Sequence, residues 1–335
     1  MKRDYLQKTH KIDFDFYQNQ KDFIVDEIAL SPWSQKGNFL ILQVQKIELT
    51  TWDMIAAFAE FLKLDAQKIG YAGLKDKHAT TTQYISIERK YEKELKKFRH
   101  PQIKILQSFL HNKSIQMGDL KGNRFEINLY NIDDIKAGRI EKLTQKIAKY
   151  GLPNYFGFQR FGRDGDSIEQ AKEMIKGELH VHDAKLKKFL ISVYQSYYFN
   201  EWLKERVNMS EDEKWKCLEG DVYLTSQGKL VTPKANAQKD YEAKKLIPTG
   251  LLCGRGAFRA VGEAREIEKK YDDEFLVEKG LRREALIYPE NIGIVYKRDF
   301  GLLTLSFELP RGSYATIFLE NIANKNFSAK DVKRD

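Results

Sequence analysis

Polar and apolar residues alternate along Asp22-Phe23-Ile24-Val25-Asp26-Glu27-Ile28, which predicts a strand with Phe23, Val25 and Glu27 on one face. Phe39 to Ile47 predicts a second strand, with Leu40, Leu42 and Val44 together. The spacing then lengthens. Thr50 and Asp53 fit a capping box, and Trp52, Ile55, Ala59 and Leu62 recur at helical spacing in a segment running to Leu64. Ile69 to Leu74 reads as a short buried strand, the threonines near 80 as a turn or polar edge, and Tyr84 to Ile87 as the next strand. Tyr91 to Arg99 is lysine-rich and reads as a solvated helix or connector. Gly122 to Tyr130 alternates cleanly: Asn123, Phe125, Ile127 and Leu129 share one face, and Arg124, Glu126 and Asn128 the other. Ile135 to Tyr150 returns to helical spacing through Ile140, Leu143, Ile147 and Tyr150.

Gly151-Leu152-Pro153 ends that helix and marks the best boundary in the chain. Beyond it, Ala184 to Val207 predicts a long helix with Leu186, Phe189, Val193 and Tyr197 aligned, followed by a glycine-punctuated stretch from Gly250 to Gly262. From about residue 290 strand alternation returns, with Leu303, Leu305, Phe307 and Leu309 on one face. Pro310-Arg311-Gly312-Ser313 then turns into a short helix carrying Tyr314, Ile317 and Phe318. The pattern predicts one α+β domain built from both ends of the chain around a mostly helical insertion. No internal repeat breaks it.

Composition narrows the function classes. The chain has 335 residues and a formal net charge of +9, and such a cationic excess points first to nucleic acid. No run of about 18 apolar residues predicts a transmembrane helix, and the first residues show no apolar secretory core. Cys217 and Cys253 form no Cys-x-x-Cys pair, and the histidines do not cluster at zinc spacing. His180 and His182, two apart, make a possible metal pair, but with no third ligand nearby in sequence they read as solvated loop residues. No dinucleotide or phosphate-loop fingerprint occurs. The expectation is a cytoplasmic, reduced protein without metal or cofactor.

Two stretches carry candidate chemistry. In Gly70-Tyr71-Ala72-Gly73-Leu74-Lys75-Asp76-Lys77-His78-Ala79-Thr80-Thr81-Thr82-Gln83, one carboxylate, Asp76, lies between two lysines just past a predicted strand. It reads either as a solvated turn residue or as the seat of chemistry. In Asn154-Tyr155-Phe156-Gly157-Phe158-Gln159-Arg160-Phe161-Gly162-Arg163-Asp164-Gly165, aromatics alternate with glycine, amide and arginine. Such rings stack on unpaired bases and such arginines meet phosphates, although an aromatic plug with Arg160 tied to a carboxylate has the same composition. Asn123, on an apolar face, is either a hydrogen-bond hub or a ligand contact. Phe23 and Tyr314 read as core rings or as base-stacking surfaces. Arg282 and Arg283 suit phosphate or a solvated face.

Taken in order, these segments resemble the TruD family of pseudouridine synthases. The resemblance is carried by Phe23-x-Val25-x-Glu27, by Ala72 to Ala79 with Thr82-Gln83, by Gly122-Asn123-x-Phe125, by Asn154-Tyr155-Phe156-Gly157-x-Gln159-Arg160-Phe161-Gly162, and by Leu309-Pro310-x-Gly312-Ser313-Tyr314-Ala315-Thr316. It implies an α+β catalytic domain with a mixed, mainly antiparallel sheet, formed by residues 1–151 and 290–335, and interrupted by a mostly helical α/β insertion at 152–289. It implies isomerisation of uridine to pseudouridine in tRNA, at position 13, by a catalytic aspartate matching Asp76. Phe23, Asn123, Phe125 and Tyr314 match positions near the bound nucleotide, and Lys75 and Arg160 join them as expected RNA contacts. Phe125 matches a position where most other pseudouridine synthases use Tyr. Tyr314 stands where some relatives have Phe, which preserves the ring, and Ser167 stands where Asn is common, with no consequence to assign. The implied partner is tRNA, with no membrane and no small-molecule cofactor, and a monomer is expected.

That isomerisation breaks N1–C1′, turns the base and makes C5–C1′, so it transfers no electrons. One carboxylate suffices, by attack at C1′ or C6 or by removing the C2′ proton, and the sequence leaves these three open. Lys75, Lys77 or an arginine could keep Asp76 ionised. Two rival classes are a non-catalytic RNA-binding protein or RNA chaperone on the same fold, and a metal-dependent nuclease. The nuclease would need several clustered carboxylates where residues 70–83 offer one.

Overall fold

A computed structural model describes residues 2–7, 9–162, 165–233, 235 and 237–332. The chain divides into two compact units. One comprises Phe14–Ala137, Glu290–Gly312 and Val332–Asp335, and the other Met1–Asp13, Gly138–Pro289 and Ser313–Asp331.

The first unit is organised by a large sheet. Its long strands are β1 (Phe23–Ala29), β2 (Phe39–Ile47), β3 (Thr80–Glu88), β4 (Ile103–His111), β5 (Leu120–Tyr130), β6 (Glu290–Lys297) and β7 (Leu302–Pro310), in the spatial order β6-β7-β5-β1-β3-β2-β4. Only β1 and β3 pair in parallel, so the sheet is mixed and mainly antiparallel, as expected. Helix α1 (Thr51–Leu62) covers one face. Thr50 and Asp53 cap it reciprocally, and Met54, Ile55, Phe58 and Leu62 pack on Leu40, Leu42, Val44, Ile85 and Ile87. β7 buries Leu303, Leu305, Phe307 and Leu309.

Two expectations near the motif change. The strand expected over Ile69 to Leu74 is only Gly70–Tyr71, and residues 72–79 form a loop. The threonines, expected as a turn or a polar edge leading into the next strand, begin β3 itself, with Thr81 and Thr82 buried. β-branched side chains fit a pleated, half-buried surface despite their hydroxyls, which is why polarity misled there.

The second unit holds a four-stranded antiparallel sheet (Leu230–Val231, Tyr223–Thr225, Leu246–Leu252, Leu281–Glu284) and several helices. Helix α2 (Asp134–Tyr150) carries the chain into it, and α3 (Ala184–Asn208) is its longest element. The face expected for α3 shifts: Leu186 and Phe189 are exposed, and burial starts at Leu190, continuing through Val193, Phe199 and Leu203. A short helix, α4 (Ala315–Ala323), follows Tyr314. Among the described residues no helix is long and apolar enough to cross a membrane.

Candidate active site

Cross-strand partners share a face of a sheet. One row runs Lys46, Thr81, Val25, Phe125 and Phe307 across five strands of the first unit. The next row aligns Glu27 with Asn123. The motif loop, residues 72–79, is tied to this face, α1 and the loop before β5.

Three scaffold groups pin it. The Gly118 amide donates to Ala72 O at 2.7 Å. The Lys75 amide donates to Thr51 Oγ1 at 2.9 Å, and Thr51 in turn donates to Gln83 Oε1 at 3.0 Å. Lys46 Nζ donates to Asp76 O at 2.8 Å and to Leu49 O at 2.6 Å. Lys46 is 0% exposed. It lies on the face of Leu40, Leu42 and Val44, so its stem is packed and its ammonium delivered to the loop.

Beside Asp76, the Lys75 side chain runs inward. Its ammonium lies 2.8 Å from Glu27 Oε2 and donates to Asn123 Oδ1 at 2.6 Å. The side chains of Lys75 and Glu27 are 4% and 1% exposed. Burial pushes the Glu27 carboxyl above its ordinary range, while Lys75 and the Tyr84 amide oppose that rise. A lysine only donates, so the atom it meets on Asn123 must be oxygen, and the amide Nδ2 is left with no partner among the described residues. Asn123 therefore offers donors, not an acceptor, to anything arriving beside it.

Asp76 has surface open to solvent. Protein atoms nevertheless crowd round its carboxyl, and the lost hydration raises its pKa; Lys46 first and Lys75 second pull it back, and the balance is upward. Conversely, burial lowers the Lys46 ammonium to about 8, with Asp76 the strongest influence in the opposite direction. The main cation acting on Asp76 is thus Lys46, which sequence reasoning did not single out. Lys77, flanking Asp76, is exposed. The missed signal was short-range: extending the 40, 42, 44 face by two residues lands on Lys46.

Aromatic rings lie beneath. Phe23 is 3% exposed and meets Phe125 edge-on at 6.3 Å, and Phe125 stacks on Phe307 at 5.3 Å. Phe23 is therefore packed as core here, whichever of its two expected roles it serves. The structure brings Phe23, Lys75, Asp76, Asn123 and Phe125 to one face of one unit, and adds Glu27, Lys46, Thr51 and Gln83.

Arg160 and Tyr314 belong to the other unit, where both lie against Phe156. The Asn200 amide bonds both the N–H and the C=O of Phe156 at 2.9 Å. The Arg283 guanidinium lies 4.0 Å from the Phe156 ring centre and donates to Asn154 Oδ1. Burial lowers it to about 10. Tyr314 meets Phe156 edge-on at 6.3 Å. Arg160 Nε donates to Ser196 Oγ at 3.2 Å, and its guanidinium lies over Phe156 and Phe189. No described carboxylate is within ion-pair reach of Arg160, so the carboxylate-tied reading of it is not met. Arg163 and Asp164 lie outside the described residues. Neither member of the Arg282–Arg283 pair forms a solvated face: the Arg282 side chain is buried against Glu268 and Thr249.

The chain is similar over nearly its whole length to proteins of one family. The family model for tRNA pseudouridine synthase D (TruD) matches residues 2–182 and 166–322. The tRNA pseudouridine synthase D of Nitratiruptor sp. is 39% identical over 95% of this chain and 97% of that protein. The protein of the same name from Sulfurimonas denitrificans is 38% identical over 97% and 99%. A crystal structure of a Methanosarcina mazei protein named for the same family superposes with a TM-score of 0.76 over 98% of this chain and 97% of that one, at 22% identity, and so shares the fold. The chain belongs to the tRNA pseudouridine synthase D family.

Proposed function

We infer that this protein isomerises uridine to pseudouridine in tRNA, with Asp76 as its catalytic carboxylate. The observation that carries this reading is one carboxyl, on a residue that keeps surface open to solvent, in a loop whose backbone is fixed from three sides and with the buried Lys46 as the cation acting on it most strongly. The reaction asks for little more. N1–C1′ breaks, the freed uracil turns, C5–C1′ forms, and the C5 proton leaves as N1 gains one. Ionised Asp76 starts the sequence at C1′, C6 or the C2′ proton. The Asn123 Nδ2 donors suit the O4 carbonyl of uracil, where cytosine presents an amino group instead. That difference supplies base selection.

The target base must leave its stack, which costs a few kcal/mol. The rings of Phe23 and Phe125 form an apolar floor on the sheet face that carries Asn123. Arg160 and the net positive charge supply phosphate attraction. For the domains, 1–151 and 290–335 are assigned to catalysis and 152–289 to an insertion. Supporting this, Leu152–Pro153 pairs with Leu286–Ile287, so the insertion leaves and re-enters at one point. The protein acts as a monomer on this reading.

The test is pseudouridine mapping on tRNA transcripts before and after treatment with the purified protein. The expected result is a new pseudouridine, at position 13, with wild type and none with Asp76→Asn. Equal formation by both proteins would overturn the assignment.

A further inference from the structure

We propose that Trp52, Gly73 and Leu74 form a stacking surface for the nucleotide next to the target uridine. The proposal rests on the tRNA-modifying reading above and adds to it a binding surface for a second base.

Trp52 is 56% exposed, on the first turn of α1, and Leu74 is 57% exposed in the motif loop. The Lys75 amide to Thr51 hydroxyl bond joins the residues beside them, so Trp52 and Leu74 stand on neighbouring stretches of backbone. The Trp52 ring is steadied edge-on by Tyr71 at 5.4 Å, and Tyr71 packs against the core beneath α1. A large ring held this way and left open invites a flat apolar partner.

Gly73 gives an independent reason to place a ligand here. Its backbone is outside the left-handed region, so no turn requires glycine, and an added Cβ would meet nothing within 4 Å, so no packing requires it either. An uncrowded backbone of this kind leaves room for a ligand to approach closely. Four residues further on is Lys77, exposed and near enough to act on the Asp53 carboxyl beside Trp52, after the Thr50 hydroxyl that dominates there. An open ring, an uncrowded glycine and a cation suit a base with its phosphate. Extruding the target uridine strips its neighbour of a stacking partner, and a ring beside Asp76 restores one.

The experiment measures pseudouridine formation against tRNA concentration for wild type, W52A, W52F and G73A, with thermal melting of each. Stacking of roughly 1–3 kcal/mol per base corresponds to about a 5- to 150-fold rise in KM for W52A, with a smaller change in kcat. W52F keeps a ring and stays near wild type, and G73A raises KM while melting as wild type does. A KM for W52A within twofold of wild type would overturn the proposal. A second readout does not depend on turnover. Of the four tryptophans, Trp202 and Trp215 are buried and Trp33 is half-buried, packed by Tyr84 and His111, so Trp52 dominates any fluorescence response to added tRNA. Loss of that response in W52F is expected, and its persistence would count against the surface. If wild type bound tRNA but made no pseudouridine, the activity reading would fail while the fluorescence still decided the surface.

Discussion

The motif loop and the aromatic cluster at 154–162 both set glycine and cationic side chains close together in sequence, but they use their polar groups differently. In the cluster most polar groups close on one another: Asn200 on the Phe156 backbone, Arg283 on Asn154, Gln159 on Thr316. In the loop the polar groups close on the scaffold and hold up one carboxyl, on a residue that keeps surface open to solvent. Density of functional-looking residues therefore says less than which group is left over. In the loop that group is Asp76, and in the cluster it is Arg160.

The sharpest way to break this contrast is Asp76→Asn. Because the side chain is open to solvent, melting stays at the wild-type temperature while pseudouridine formation falls by roughly a thousandfold or more, within the range general acid–base and nucleophilic groups supply. A tRNA-binding titration accompanies the turnover assay, and binding is retained. Lys75→Met comes next and differs in kind. It strands Glu27 in the interior, and breaking one side of a buried pair costs about 3–5 kcal/mol. Denaturant unfolding reads that loss, and adding Glu27→Gln recovers much of it. Phe23→Ala costs about 3–5 kcal/mol as well, through the cavity it opens against Phe125. A loss under 1 kcal/mol would return Phe23 to the role of a surface offered to the base.

Much of this site is legible locally and the rest is not. The faces of β1, β2, β5 and β7 follow from period-two alternation, a property of five to nine consecutive residues, and the α1 cap from Thr50 and Asp53 alone. The pairing of Lys75 with Glu27 and Asn123 joins residues 48 positions apart in one direction and as many in the other, so only strand register reveals it. Lys46 falls between these cases. Its face is readable, but a lysine on an apolar face acquires meaning only when the Asp76 carbonyl is found at its end. On α3 the stripe through Leu186 and Phe189 obeyed helical spacing and still faced outward, because spacing fixes which residues share a face and not what covers it.

Lys46 also sets a pH signature that the aromatic cluster lacks. Its ammonium loses its proton near pH 8, well below the ordinary 10.5, under the influence of burial and against Asp76, Asp53 and Glu48. Between about 8 and 10.5 the unfolded chain binds more protons at this group, so its contribution to stability rises with pH across that window. Activity moves the other way: once Lys46 is neutral, Asp76 loses its strongest cation. The expected kcat/KM profile has a basic limb near 8, and Lys46→Met lowers activity and removes that limb. A limb unchanged in Lys46→Met would assign it elsewhere.

The smallest effect tests the cluster's leftover group. The Nε of Arg160 is held by Ser196 and its plane by two rings, while its terminal nitrogens have no partner among the described residues. A fork oriented in this way and not neutralised suits a phosphate. Arg160→Ala forfeits about 0.5–1 kcal/mol of cation–π contact in melting experiments. It also weakens binding to every tRNA by a similar factor and lowers the slope of log affinity against log salt by about 1, as loss of one phosphate contact requires. A salt slope that stays put while melting falls would make Arg160 a strut between two rings, and the cluster would then close on itself completely.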